Sequence, residues 1–533
     1  MYAKMSKTEN NQTEKDRGDQ VQNSAGGYVF TLNKWARLER FLILGSDKNT
    51  YYSTAQKLTK ENTLSIQECL KENPEKTVDV ITKTSEQGRA VKNEPAIFAL
   101  ALACADDKAK TFAFNNIPRV CRTGTHLFQF VKEVKELRGL GSGLRKAISK
   151  WYTDKDVDNL AFQLIKYQQR EGMSHRDVLR LMHTEFSDKY QPLIRQVVTK
   201  DLNERVVKRH TQKDPVTYEA LGKLPNIVEG WLKLQKETDP LKAAILIMDH
   251  NIPREAVPTT LLNSVEVWEA LLDKMLPEAM LRNLNKMTSI GLITPFSSAE
   301  KKVVDTFSNQ DTLQKYRLHP LRILVGMRQY AKGCGDKGSL TWQPLSSIVK
   351  ILDDAFYKAF QYVIPSYERY MLSLDVSGSM TCGTCAGMSI SPREASAAMA
   401  MVTARTEPSY IINGFCHTLK TLDIHNEMDI NSVVRYVDQQ HMGGTDCALP
   451  MLEALKNKIP VDKFVIYTDS ETWFGKVHPY KALQQYRDKM GINSKLIVVG
   501  MTSTNFTIAD PTDIGMLDVV GFDTAAPNVI STF

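Results

Sequence analysis

The sequence has no apolar run long enough to cross a bilayer. Its longest apolar stretch, AIFALALACA over 96–105, is about half the required length, and the polar N-terminus lacks the apolar core of a signal peptide. Cysteine is sparse too: eight residues, six of them scattered singly, do not form a disulfide framework. With 533 residues, 42% of them hydrophobic, we expect two to four globular domains in a soluble intracellular protein that has no membrane partner.

Charge is divided unevenly along the chain. Residues 26–360 contain 51 Lys and Arg against 39 Asp and Glu, whereas residues 361–533 contain 13 against 18. The excess is densest over residues 116–210, which have 19 basic against 11 acidic side chains. This basic region predicts an anionic partner.

Hydrophobic periodicity divides the chain into three parts. Residues 1–25 are polar and aperiodic, which predicts a disordered tail. Residues 26–360 open with GGYVFTLNKWARLERFLILG, which ends in a strand-like apolar run, and continue with apolar residues at spacings of three and four. This pattern predicts a mainly α domain of stacked helical pairs. Residues 361–533 alternate short apolar strands with amphipathic helices, which predicts an α/β domain with a mostly parallel sheet.

Oxygen-bearing side chains follow the predicted strands of the α/β domain. They are Asp375, Ser377 and Ser379 of DVSGS, Thr445 of GGTD, and Asp469 of TDS. Because the carboxyl ends of parallel strands share one edge of a sheet, we expect the five to lie together. Hard oxygen ligands with only two carboxylates suit a divalent cation, Mg²⁺, that keeps an open coordination position.

Other interpretations of these residues remain. DVSGS alone also fits an ordinary turn at the end of a strand. A nucleophilic serine would need flanking glycines as in G-x-S-x-G and a histidine base, for which His417 and His441 are the candidates. The single C-x-x-C of Cys382 and Cys385 is incomplete for zinc and favours a packed or incidental loop.

The segment LAFQLIKYQQREGMSHRDVLRLMH predicts two consecutive helices. The first buries Leu160, Ala161, Leu164 and Ile165, carries Lys166 and Arg170 four residues apart on another face, and ends at Gly172. Ser174 and Asp177 predict a capping box that opens the second helix, which carries Arg176, Arg180 and His183. Each of these side chains could belong to a solvated helix face, and His183 could be structural.

More basic residues lie upstream of this segment. PRVCRTGTH contains Arg119, Arg122 and His126, and GLGSGLRKAISKWY contains Arg145, Lys146 and Lys150 beside Trp151 and Tyr152. Aromatic rings beside cations are surfaces on which unpaired bases stack. GLGSG is typical of a phosphate-binding loop, but no strand precedes it and no G-K-[ST] follows. Together the cations and rings predict a surface for an anionic partner, such as one with unpaired bases.

Longer motifs resemble known families. DVSGS, GGTD and TDS resemble the metal-ion-dependent adhesion site (MIDAS) of von Willebrand factor A domains. These motifs, with GLGSGLRKAISKWY, SHRDVLRLMH, AMLRNLNKMTSIGL and HPLRILVGMRQYAKG, resemble the Ro ribonucleoprotein autoantigen family of vertebrate type. The resemblance runs from about Gly26 to the end of the chain.

The resemblance implies a fold and a function. The fold would be a ring of HEAT-like helical repeats, the TROVE domain over 26–360, closed by a Rossmann-like von Willebrand A domain over 361–533. Such a protein binds Y RNAs on an outer basic surface, where Lys166, Arg170 and His183 fall. It captures single-stranded 3′ ends of misfolded small noncoding RNAs in a central hole, acting in RNA quality control and stress survival.

The resemblance also implies a protein ligand that donates an acidic side chain to the metal. We expect a monomer without catalytic activity, located in the cytoplasm with a nuclear pool. The alternatives are an Mg²⁺-dependent nuclease or phosphatase and a protein-only adhesion scaffold.

Overall fold

The computed structural model describes residues 11–46, 55–170, 172–199, 224–335, 339–360, 363–440 and 443–533. Within them a long series of helices precedes an α/β domain, so the predicted fold class is confirmed. None of the described helices is long and apolar enough to span a membrane.

The helical part contains eighteen described α-helices and four short strands. The helices are α1 (Lys34–Leu44), α2 (Ala55–Glu72), α3 (Pro74–Glu86), α4 (Glu94–Ala105), α5 (Lys110–Val120), α6 (Gly124–Leu137), α7 (Ser142–Thr153), α8 (Val157–Lys166), α9 (His175–Met182), α10 (Gln191–Leu193), α11 (Asn226–Leu234), α12 (Pro240–His250), α13 (Val265–Asp273), α14 (Pro277–Ser289), α15 (Ser298–Ser308), α16 (Gln310–Lys315), α17 (Pro320–Ala331) and α18 (Ser346–Lys358). The strands are β1 (Val21–Gln22), β2 (Tyr28–Thr31), β3 (Gln169–Arg170) and β4 (Met173–Ser174).

Local capping and apolar packing explain these helices. The side chains of Asn73, Asp156 and Ser264 accept hydrogen bonds from first-turn amides, while Pro240 and Pro320 occupy the first turn of their helices. Each helix buries an apolar face against neighbours close in the chain, for example α1 on α2 and α4 on α5 and α6. Helical stability therefore comes from stacking of successive helices.

The α/β domain is built on a six-stranded sheet. Its strands and helices are β5 (Tyr370–Asp375), α19 (Pro392–Thr406), β6 (Tyr410–Phe415), β7 (Leu419–Thr421), α20 (Ile430–Asp438), α21 (Leu449–Lys456), β8 (Lys463–Thr468), α22 (Pro479–Met490), β9 (Lys495–Gly500), β10 (Phe506–Thr507), β11 (Met516–Val520) and α23 (Ala526–Thr532). The sheet order is β11-β9-β8-β5-β6-β7, parallel except for β7. β5 and β8 are neighbours and buried at every position, as expected under helices on both faces.

The helical series begins and ends on the α/β domain. Arg40 of α1 forms an ion pair with Asp518 of β11. At the other end, Asp353 of α18 pairs with Arg405 of α19 at 3.1 Å. The α/β domain thus joins the two ends of the helical series.

The predicted disordered tail is wrong for residues 11–25. Gln12 is fully buried, and β1 pairs with β2, which in turn pairs with β10 of the α/β domain. This segment is held by hydrogen bonds from polar side chains, so its low apolar content did not reveal it. Residues 1–10 lie outside the described residues.

The strand-like ending predicted for GGYVFTLNKWARLERFLILG is also wrong. Residues 34–44 form helix α1, which starts at an Asn33 cap and buries Leu38, Phe41 and Leu42. The strand of this region is Tyr28–Thr31 instead. The boundary between 360 and 361 stays a prediction, since residues 361 and 362 lie outside the described residues.

Candidate functional site

The five predicted metal ligands follow neighbouring strands or a nearby loop. Asp375, Ser377 and Ser379 end or follow β5, Asp469 follows β8, and Thr445 precedes α21. All five are buried. We call this set of five residues the metal edge.

Hydrogen bonds bring four of the five side chains together. The Ser377 amide donates to Asp375 Oδ1 at 2.9 Å, and the Ser377 and Ser379 hydroxyls are 3.1 Å apart. Ser379 also hydrogen-bonds to the carboxyl of Asp469. The Thr445 carbonyl accepts from the Trp473 and Phe474 amides at 3.0 and 2.9 Å. The loop of Thr445 therefore packs against the loop that follows Asp469.

Burial raises the pKa values of the two carboxyl groups at the metal edge, and repulsion adds to this at Asp469. Burial, and then the nearby carboxylates of Asp375 and Glu471, raise the pKa of Asp469 to about 8. Burial also raises the pKa of Asp375. A divalent cation between these carboxyls would offset their repulsion and desolvation, so the residues fit a hard cation.

The metal edge offers two carboxylates and three hydroxyl groups as possible ligands. Among the described residues no group of three or more His, Cys, Asp and Glu side chains could hold a metal ion. A cation held by the two carboxylates would therefore need the hydroxyl groups as further ligands, and Mg²⁺ stays a prediction.

The rival interpretations of this region gain no support from the described contacts. The Ser377 and Ser379 side chains bond to each other and to carboxyl groups, while the His417 ring contacts Phe474. His441 lies outside the described residues. Cys385 is buried, and burial raises the pKa of its thiol to about 12.

The structure changes how the predicted basic face is built. Leu160, Ala161, Leu164 and Ile165 are buried as predicted, but the helix ends at Lys166. Arg170 lies on β3, which pairs with β4 across a tight turn containing Gly172 at φ +75°. The prediction that Lys166 and Arg170 share a helix is wrong, because residues 169–170 pair with 173–174.

Lys166 and Arg170 nonetheless line one cavity, of ≈ 670 Å³. Three further cations line it, Arg254, Lys274 and Arg282, with Phe162 and Tyr167 as aromatic walls. We call it the basic cavity. The Lys166 ammonium lies 5.4 Å from the Phe162 ring centre and 5.6 Å from that of Tyr167.

Charge in the basic cavity is mostly unopposed by carboxylates. Only Glu255 and Asp273 line it among the described acidic residues, and Asp273 already pairs with Lys302 at 2.9 Å. The cavity therefore combines excess positive charge with ring surfaces.

The second predicted helix is confirmed. Ser174 and Asp177 form a full capping box at the start of α9. Arg176, Arg180 and His183 are all exposed, and His183 ends the helix in the left-handed conformation. These three side chains are accessible to a large anion.

The upstream cations differ in accessibility. Arg119 is half exposed and pairs with Glu86 at 2.5 Å, whereas Arg122 is half-buried and donates to Ser85 Oγ at 2.7 Å. Burial lowers the pKa of Arg122. Arg145 is half-buried, and Lys146 is exposed. Of these four, Lys146 is the most open to a ligand.

The predicted stacking role of Trp151 and Tyr152 is wrong. Both rings are buried; the Trp151 indole donates to the Cys121 carbonyl and the Tyr152 hydroxyl bonds to His175 at 3.0 Å. Aromatic residues that adjoin lysines in the sequence can lie either at the surface or in the core. Here helix packing places both rings in the core.

A second cavity, of ≈ 740 Å³, lies between the helices and the α/β domain. Arg282, Arg322, Arg328 and Lys332 line it together with Met388 and Ser389 of the α/β domain. We call it the inner cavity. Arg282 lines both cavities.

Sequence reasoning missed Arg254, Lys274, Arg282 and the inner cavity. These cations stand singly in helices or turns far along the chain from Lys166. Only the stacking of helices brings them together, so no local motif could have revealed them.

Comparisons with known proteins cover nearly the whole chain. A TROVE domain model matches residues 21–244 and 246–328, and a Ro60 vWA domain model matches residues 369–533. "RNA-binding protein RO60" of Caenorhabditis elegans is 38% identical over 98% of this chain and 91% of its own length. The Deinococcus radiodurans protein of the same name is 39% identical over 98% of this chain and 96% of its own.

A solved structure agrees with the fold. The crystal structure of the Deinococcus radiodurans RO (RSR) protein aligns with a TM-score of 0.67 at 38% identity, covering 94% of this chain and 99% of that chain. The chain described here therefore belongs to the Ro family, in which a TROVE domain is joined to a Ro60 vWA domain.

Proposed function

We propose that this chain is an RNA-binding protein of small ribonucleoprotein particles that acts as a monomer and has no catalytic activity. The observation that carries the proposal is the basic cavity, where five cations and two aromatic rings converge. Phosphates pair with Lys and Arg, and unpaired bases stack on rings. The names of the two relatives, both called RNA-binding proteins, support the RNA-binding part of the proposal.

Two classes of RNA fit two regions. Y RNAs bind the outer basic surface formed by the basic cavity and the exposed Arg176, Arg180 and His183. Single-stranded 3′ ends of misfolded small noncoding RNAs enter the inner cavity, whose cations come from the helices. Because Arg282 lines both cavities, RNA bound at one lies beside the other and limits access to it.

The metal edge serves a protein partner in this proposal. Asp375, Ser377, Ser379, Thr445 and Asp469 would hold Mg²⁺, and the ion would supply a positive centre for an acidic side chain of that partner. The work of the complex is RNA quality control and stress survival, in the cytoplasm and in a nuclear pool.

The first test measures RNA affinity against salt for wild type and for Lys166→Ala/Arg170→Ala. The probes are a Y-like hairpin RNA and a structured RNA with a single-stranded 3′ tail. We expect the double variant to weaken binding by roughly 1–3 kcal/mol, because charge-assisted hydrogen bonds to phosphate are lost. The log–log salt slope should fall by about 0.7 for each lost phosphate contact on single-stranded RNA.

A matched control removes the same charge elsewhere. Lys456→Ala/Lys489→Ala takes two positive charges from exposed positions of the α/β domain and should leave affinity and slope unchanged. Equal losses of RNA affinity in both double variants would mean that net charge, and not the position of the cations, determines binding. RNA cleavage during incubation with Mg²⁺ would instead favour the Mg²⁺-dependent enzyme.

A further inference from the structure

The N-terminal segment lies against the loops that carry the metal edge. We call residues 11–31 the strap. The Gln12 side chain is fully buried, and its amide group donates to Asp446 Oδ1 and to the Val477 carbonyl, both at 2.7 Å. Its carbonyl oxygen accepts a hydrogen bond from the Thr472 hydroxyl. One side chain of the strap thus bridges two separate loops of the α/β domain.

Further contacts hold the strap to the second of these loops. Asn23 Nδ2 donates to the Thr472 carbonyl at 2.8 Å and to the Ser470 carbonyl at 3.3 Å. The Ala25 amide donates to Glu471 Oε2 at 3.1 Å. At Gly27 a Cβ atom would lie 1.8 Å from the Thr472 carbonyl oxygen, so only glycine allows this approach. The strap is fitted closely to the loop 470–472.

The contacted residues adjoin two metal ligands in the chain. Asp446 is the neighbour of Thr445, and residues 470–472 directly follow Asp469. The Cys447 amide donates to the Thr472 hydroxyl at 3.1 Å, so the two loops also touch each other. Gln12 therefore adds a buried side-chain bridge to the direct bonds that hold the backbone of Thr445 against the loop that follows Asp469.

We propose that Gln12 and Asn23 are positioning residues for the metal edge. They do not contact the cation; they hold its ligands at the spacing that coordination requires, so cation affinity depends on a segment some 350–450 residues away in the chain. Partners that orient metal ligands commonly change affinity by about 10–100-fold. The inference rests on the cation site put forward under the proposed function.

Thermodynamic linkage supplies a reciprocal consequence. If docking of the strap strengthens cation binding, cation binding must stabilise docking of the strap by the same factor. Amide hydrogen exchange over residues 12–31 should therefore slow when Mg²⁺ binds. This measurement needs no variant.

The test is the Mg²⁺ dissociation constant of the full chain, measured by isothermal titration calorimetry. We expect Gln12→Ala and Asn23→Ala each to weaken binding about 10-fold or more. The matched control is Arg17→Ala in the same strap, whose guanidinium pairs with Asp19 and Asp510 and lies over the Phe30 and Tyr480 rings; it should change affinity less than twofold. Asp375→Ala removes one of the proposed ligands, so we expect it to bind no Mg²⁺ and use it as the reference.

The outcomes separate this inference from its premise. Unchanged Mg²⁺ affinity in Gln12→Ala and Asn23→Ala, or unchanged exchange over residues 12–31, overturns the positioning role while leaving the cation site intact. Equal weakening in Arg17→Ala overturns it too, since loss of strap docking in general would then explain the effect. If wild type binds no Mg²⁺, the cation site itself falls, whereas the RNA measurements are unaffected.

Discussion

His319 shows how one buried side chain joins distant parts of the chain. Its Nδ1 accepts from the Leu321 amide at 3.1 Å and so caps α17. Its Nε2 lies 3.2 Å from the Arg89 carbonyl and 3.0 Å from the Phe522 carbonyl, so the neutral ring donates to both. Burial lowers the pKa of His319 to about 3.

Acid should therefore destabilise the protein through His319. The unfolded histidine binds a proton near pH 6.5, but the folded one resists it until about pH 3, so stability falls as pH drops between these values. Between pH 7 and pH 5, wild type should lose about 2 kcal/mol more than His319→Gln, which keeps a donor without titrating there. Urea unfolding at the two pH values measures the difference.

The exposed His425 is the matched control for His319. His425→Gln removes a histidine whose ring lies at the surface beside Asp423, and it reports what loss of a surface histidine does to the same urea measurement. An equal loss of stability in wild type and His319→Gln would contradict the account of His319. The buried His126 and His175, whose pKa values burial lowers to about 4 and about 3, contribute equally in all three proteins.

Among individual residues, the sequence predicted the site positions of side chains that belong to motifs. It missed the side chains that only packing brings to a site. The position of Asp375, Ser377 and Ser379 at the edge of the sheet was predictable because their motif ends a predicted parallel strand. Arg282 and Lys274 were missed because they are isolated in the chain. Gln12 was missed because its polar surroundings resemble those of a disordered tail.

Among the secondary-structure elements, the short β3–β4 hairpin presents Arg170 to the basic cavity. Its turn contains Gly172 at φ +75°, and no atom lies within 4 Å of the Cβ that a substitution would add. The cost of a side chain there is therefore conformational. Gly172→Ala should destabilise the protein by about 1 kcal/mol.

Gly143→Ala is a control because the same substitution at this position should not lower stability. Gly143 lies in the first turn of helix α7, and its added Cβ would sit 3.4 Å from the Phe114 ring. Alanine favours helix over glycine by up to about 1 kcal/mol, so this variant should be neutral or more stable. Urea unfolding compares the two; a stable Gly172→Ala would show that the hairpin imposes no left-handed conformation.

Periodicity predicted the existence of most elements better than their ends. The apolar face of α8 was found, but the helix stops at Lys166 because the next residues pair as strands. In α1 the apolar run FLIL looked extended, yet Asn33 caps a helix that buries Leu38 and Leu42. Such choices depend on partners that lie elsewhere in the chain.

In the molecule as a whole, ion pairs join the ends of the helical series to the α/β domain. The helical series returns to the α/β domain at both ends, and Arg89 closes the join through a 2.6 Å ion pair with Asp523. The order of helices and the sheet were foreseeable from the sequence. Closure was expected only from family resemblance, because polar contacts across more than 400 residues leave no periodic signal.

The central claim is that RNA contacts the basic cavity. Its most direct test is photo-crosslinking of the full chain to a structured RNA with a 4-thiouridine-substituted 3′ tail, followed by mass spectrometry of the crosslinked peptides. We expect crosslinks on peptides around Phe162–Arg170 and Arg254–Arg282, from the cavity walls. Crosslinks confined to the metal edge around Asp375 and Asp469 would contradict the account and make that edge the RNA contact.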